Sequence, residues 1–257
     1  MLTEEMEGLP LLPGIPAQHI FDRLSKSPGN EIGTGKFRNP ESSASLAVNA
    51  FGWFIDRPAM LPPFPNLRVS PWEPERVDVE ESLRFPWRGG LHPWLDAVVE
   101  TAEHLIGVES KRCEPYRNKP KPKLSEAYWR EKAWGEHMNG WQSVRDALRD
   151  AKLRFTHLDA AQLVKHSLGL RTQATKRKRL PILLYIYAEP SAVSGRPISV
   201  AEHERHHREI AELADMVAGD EVLFTATSYA DWLDTWRGPA QAHGKCLESA
   251  FALRFRN

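Results

Sequence analysis

Three side chains stand in an order that suits phosphodiester chemistry: Asp96, Glu109 and Lys111. Glu109 and Lys111 follow an apolar run at 105–108, and their two-residue separation puts both on one face of a strand. Asp96 ends the apolar start of the strand before. Two carboxylates from neighbouring strands suit a hard divalent cation: Mg²⁺ keeps several waters at about 2.0–2.1 Å and needs only one or two carboxylates. Such an ion offsets charge on phosphoryl oxygens and acidifies a bound water, and a lysine beside it can orient and help deprotonate that water. The main-chain carbonyl of Ser110 is a further candidate ligand. An acid-x-Lys triplet alone is weak. A second copy, Asp150-Ala151-Lys152, lies in a helical stretch where a spacing of two splits the side chains between faces. The bland reading of 109–111 is an ion pair on a solvent-facing strand edge.

A second group strengthens the first. Gln162, Lys165 and His166 are three and four positions apart, so on a helix they share a face, suited to a scissile phosphate and its water. The alternative is a polar stripe facing solvent. Basic residues cluster at Arg112, Arg117, Lys119, Lys121 and Lys123, and again at 176–179, beginning with Lys176 and Arg177. Beside the site they would neutralise backbone phosphates, and the competing reading is solvated loops. His203-Glu204-Arg205-His206-His207 formally matches the H-E-x-x-H zinc motif. That segment is crowded with charge, and Ser199 with Glu202 reads as a capping box opening a surface helix.

Positioning these groups falls to the following elements. Residues 1–40, rich in Pro and Gly, read as an arm or loop with a short amphipathic piece at 20–24. A helix is expected over 41–51, then strands over 76–80, 93–99 and 104–111. Helical periodicity runs from 125 to about 170, its last helix stopped by Gly169. The apolar run 180–187 has the pattern of a strand buried on both faces. A helix over 200–217, a strand over 221–226 and a helical 229–236 follow. This order predicts an N-terminal arm, 1–40, and a single domain, 41–257, built on a mixed sheet flanked by helices.

Composition limits the field. The 257 residues carry 34 basic and 34 acidic side chains, so only a local patch can attract a polyanion. Two cysteines make no disulfide framework, which with the absence of a signal-peptide pattern points to the cytoplasm. Without a run of about 18 apolar residues, no membrane span is expected. Trp134, Trp141, Trp232 and Trp236 fall at helical spacing and are expected in the core or an interface.

The blocks Ser42-Ser43…Leu46-Ala47-Val48-Asn49, Leu95-Asp96, Gly107-Val108-Glu109-Ser110-Lys111-x-x-Glu114-Pro115-Tyr116 and Leu158-Asp159-x-x-Gln162-Leu163-x-Lys165-His166 together resemble the PD-(D/E)xK nuclease superfamily. More narrowly they resemble a bacterial restriction-endonuclease-like family within it. The likeness spans roughly residues 40–235. It implies an αβββαβ core, metal ligation by Asp96 and Glu109, a catalytic Lys111, and support from Gln162 and Lys165. Glu80 matches the extra upstream acid of many members, with Glu81 as the neighbouring alternative. Pro93 stands three before Asp96, where the superfamily name places proline next to the acid. The expected activity is Mg²⁺-dependent hydrolysis of nucleic acid, double-stranded DNA in the first place, with Mn²⁺ as a substitute ion. A homodimer is one way to cut both strands. The alternatives are a catalytically inactive module of the same fold that binds nucleic acid or protein, and a zinc hydrolase using His203, Glu204 and His207.

Overall fold

The computed structural model describes residues 8–89, 92–117, 124–130 and 133–255. Its centre is a five-stranded sheet of β1 (Arg76–Ser82), β2 (Trp94–Glu100), β3 (His104–Lys111), β4 (Leu180–Tyr187) and β7 (Leu223–Ser228). They lie side by side in that order. β1, β2 and β3 are antiparallel neighbours, whereas β4 runs parallel to β3 and β7 parallel to β4. β5 (Ala192–Val193) and β6 (Arg196–Pro197) form a separate small hairpin. All five expected strands are present, with ends shifted by at most two residues.

Helices cover both faces. On one side lie α1 (Ala17–Lys26), α2 (Ser43–Phe51), α6 (Tyr229–Asp234) and α7 (Gly238–Ala250), closing a core that includes Phe51, Phe54, Phe64, Trp232 and Trp236. On the other lie α3 (Asn139–Arg149), α4 (Ala160–Arg177) and α5 (Val200–Met216), around Trp134, Trp141, Leu163 and Leu168. The four tryptophans expected inside are all buried.

Local chemistry explains the helix ends. The Ser42 hydroxyl accepts from the Ser45 amide to start α2, Asp159 does the same for Gln162 in α4, and Ser199 with Glu202 forms a full capping box on α5. α4 does not stop at Gly169 but continues to Arg177. A Cβ at Gly169 would sit 2.8 Å from Leu83 Cβ and 3.2 Å from Pro93 Cγ, so this glycine lets the helix press onto the β1–β2 hairpin.

The N-terminal segment is stitched to the rest. Asn49 of α2 accepts from the Leu12 amide at 2.7 Å and donates to the Pro10 carbonyl at 3.0 Å. Arg23 of α1 bonds both Asp78 and Glu81 of β1. At the far edge of the sheet, the Asn66 side chain donates to the Ala226 carbonyl of β7 at 2.8 Å.

Candidate active site

The strand register assembles the acids. Val79 pairs with Ala97 and Glu81 with Leu95, so Glu80 falls opposite Asp96. Ala97 pairs with Val108, which brings Asp96 to the level of Glu109. Side-chain contacts close the group: the Ser110 amide donates to Asp96 Oδ2 at 2.7 Å, and Lys111 Nζ donates to Glu109 Oε1. The Ser110 hydroxyl meets Tyr229 Oη at 2.7 Å. Glu109 is 1% exposed and Lys111 8%. The trio expected from the sequence is therefore one cluster, and its lysine and glutamate are buried together.

Electrostatics within the cluster are uneven. Burial raises the Glu109 carboxyl, but the Lys111 ammonium and His166 outweigh it and hold that carboxyl down at about 2. Burial would also strip Lys111 of its proton, yet Glu109 and then Asp96 and Glu114 overcome this and keep it firmly an ammonium. Asp96 goes the other way, raised by burial and by the charge of Glu109. Glu80 is pushed up to about 7, chiefly by burial, with Glu31 and Glu109 adding repulsion against the Ser27 hydroxyl that bonds it. Of the two neighbouring glutamates, Glu80 is thus the one within electrostatic reach of the cluster. Glu81 is consumed by Arg23, Arg76 and Arg177.

Glu80 also adopts a left-handed backbone, φ 49°, which is rare for a residue with a side chain. Its raised carboxyl gives a testable sign. Between the unfolded value near 4.5 and the folded value near 7, the folded state holds the extra proton, so stability falls as pH rises through that window. Without divalent ions, Glu80→Gln is expected to remove this slope and to stabilise the protein at pH 8 by roughly 2–3 kcal/mol. Urea midpoints of both proteins at pH 5 and pH 8 check it. A parallel pH dependence in the two would refute the assignment.

From α4, His166 is 3% exposed and its Nδ1 lies 3.0 Å from Glu109 Oε2. The approach is close enough for attraction, but Nδ1 makes no aligned hydrogen bond. Gln162 stands one turn earlier on the same face of α4, and Lys165 projects about 100° away from His166. Gln162 and Lys165 are half-buried.

The residues expected to meet nucleic acid have separate fates. His166 is inside the acid cluster instead. Arg112 is buried, its guanidinium donating to the Pro40 carbonyl and lying over the Phe251 ring at 5.0 Å, because the chain after β3 turns under the N-terminal segment. Arg177 bridges Glu81 and Glu100. Arg117 is half-exposed and pairs with Glu41 at 2.6 Å. Lys176 is exposed. Lys119, Lys121 and Lys123 lie outside the described residues.

Three contributors escaped the sequence reading. Ser27 and Glu31 come from the N-terminal segment to Glu80, and nothing in their local pattern signals it. Glu114, bonded to the Arg112 amide at 3.0 Å, faces Lys111, and its spacing of three from that lysine was a usable hint.

The histidine motif is spent elsewhere. His203 Nδ1 meets Tyr116 Oη at 2.7 Å, His206 Nε2 meets Tyr185 Oη at 2.9 Å, and His207 pairs with Glu189 at 2.9 Å. Among the described residues, no group of three or more His, Cys, Asp or Glu is placed to hold a metal ion, which is what a zinc site would require. Mg²⁺ asks less of the protein. Burial and neighbouring carboxylates raise both Asp96 and Glu80, and a cation among them and Glu109 would relieve that repulsion. Asp96 and Glu109 stand at one level on neighbouring strands, two carboxyls where Mg²⁺ would need one or two.

Fold and site together define a mixed α/β protein whose five-stranded sheet, flanked by helices, gathers buried acids and a lysine on its central strands. The sequence profile described as Restriction Endonuclease associating with ARP (REase-ARP) matches residues 9–220, and the chain belongs to that family. No curated protein and no solved structure matches it. No helix among the described residues is long and apolar enough to cross a membrane.

Proposed function

We propose that this protein is a Mg²⁺-dependent nuclease of the PD-(D/E)xK kind, acting on double-stranded DNA. The observation that carries the reading is the meeting of half-buried Asp96 with buried Glu109 and Lys111 in one cluster, with Glu80 opposite Asp96. Asp96 and Glu109 would hold the ion, with the Ser110 carbonyl as a further oxygen ligand; Glu80 would add charge beside them rather than a third carboxylate ligand. When bound, the ion would offset charge on the phosphoryl oxygens and lower the pKa of water.

The chain's own residues divide the remaining work. The Ser110 amide fixes the Asp96 carboxylate. Lys111, held as an ammonium by Glu109, suits orienting the attacking water and offsetting transition-state charge better than removing a proton. Gln162 and Lys165, on the helix that presses His166 against Glu109, would steady the scissile phosphate.

A second reading has its own support. Lys111 already pairs with one Glu109 oxygen and His166 Nδ1 lies 3.0 Å from the other, so the carboxylate is engaged within the protein, which suits a non-catalytic module that binds nucleic acid or protein. Supercoiled-plasmid nicking separates the two. Wild type with Mg²⁺ or Mn²⁺ is expected to cut, and wild type with chelator or the Asp96→Asn variant with Mg²⁺ is expected to leave the plasmid closed. Wild-type protein that binds DNA without nicking it under any divalent ion favours the module.

A further inference from the structure

Away from the acid cluster, the β1–β2 hairpin and the last turn of α4 flank an open pocket of about 400 Å³. Arg84 and Arg88 of the hairpin and Lys176 of the helix line it, together with Trp87 and His92. Carboxylates are missing from its described lining, and the three cations are exposed. Their neighbours make the contrast plain: Arg23, Arg76 and Arg177 are all neutralised by Asp78, Glu81 or Glu100. A concave site that collects positive charge and no compensating acid fits an anion.

The walls narrow the choice. Phe85 stacks on Trp87 at 4.6 Å between ring centroids, 22° from parallel, and the Arg130 guanidinium lies over the same ring at 5.2 Å. Trp87 is thus already held by a stacked ring and a guanidinium, and the indole serves as a wall of the pocket rather than a platform for a base. His92 Nδ1 accepts from the Phe85 amide at 3.3 Å, which leaves the ring proton on Nε2. Donors and cations without a free aromatic face suit sugar and phosphate better than a nucleobase.

We propose that this pocket holds the phosphate backbone of a nucleic-acid strand whose scissile bond lies at the Glu109 cluster, an inference that rests on the nuclease reading. Lys176 stands ten residues beyond His166 on one continuous helix, about 15 Å along its axis. At about 3.4 Å per nucleotide of a B-form strand, that is four to five nucleotides. The pocket thus sets register from a distance and reads no base.

The test is fluorescence anisotropy with a labelled 20-base-pair duplex and the corresponding single strand, in Ca²⁺ or chelator so that nothing is cut. Wild type is compared with a protein carrying Arg84→Ala, Arg88→Ala and Lys176→Ala across a salt series. Losing three phosphate contacts should lower the slope of log K against log salt by about 2–3 and weaken binding at least tenfold. Circular dichroism and Tm should be unchanged, because all three side chains are exposed. Equal affinity and equal slope in the two proteins overturns the pocket, as does wild-type protein that binds neither probe. Wild type that binds with the expected loss in the variant, yet never nicks plasmid, leaves the pocket standing and removes the nuclease.

Discussion

Lys111→Ala is expected to lower plasmid nicking by about 10³-fold or more while leaving DNA binding in place. The ammonium is buried, bonds Glu109 and is also attracted by Asp96 and Glu114, so it is the positive centre of a group of acids. Removing a preorganised charge of this kind from a water-poor site costs about 10²–10³ in rate, and loss of a water-orienting partner adds to that. Stability will also fall. Glu109 would lose its ammonium partner and keep only the approach of His166 Nδ1, and breaking a buried pair by deleting one partner costs about 3–5 kcal/mol. Lys111→Met, which keeps the unbranched stem but not the ammonium, serves as a second variant. Rates are read on protein whose circular dichroism matches wild type. Folded Lys111→Met with wild-type nicking would remove the lysine from the mechanism.

The largest purely structural effect is expected at Glu209. This buried carboxylate on α5 accepts hydrogen bonds from three consecutive amides, Thr156, His157 and Leu158, at 2.7, 2.7 and 2.9 Å. Those residues lead directly into α4, the helix that carries Gln162, Lys165 and His166. Glu209→Ala would strand all three donors, two of them in fully buried bonds, and an unsatisfied buried group costs about 1–3 kcal/mol. A loss of about 3–5 kcal/mol is expected from urea midpoints, with Glu209→Gln recovering part of it through its remaining carbonyl. A change below about 1 kcal/mol would show that the segment finds other acceptors.

The strands were readable because their pattern is local. The apolar run at 180–187 and the alternation at 76–80 need no knowledge of distant chain, and the two-residue spacing of Glu109 and Lys111 fixes their common face wherever the strand lies. What escaped depends on contacts distant in sequence. Ser27 and Glu31 reach Glu80 across some fifty positions, and no periodicity encodes that. Basic residues misled for a related reason. Arg112 and Arg177 look like free cations until the fold supplies the Pro40 carbonyl for one and Glu81 with Glu100 for the other. Gly169 reads as a helix terminator, and only the packing of α4 on Leu83 reveals it as a point of close approach.

The two margins of the sheet bear on how copies of this chain can meet. β1, on one margin, carries Asp78, Glu80 and Glu81 within seven residues, Asp78 and Glu81 tied into a lattice of arginines, while on the other the Asn66 amide occupies a carbonyl of β7. Such margins are poor templates for another strand, since dense charge and capped backbone groups discourage ribbon-like growth and aggregation. A second copy would have to dock through helices or loops, and the sheet would end where each chain ends it.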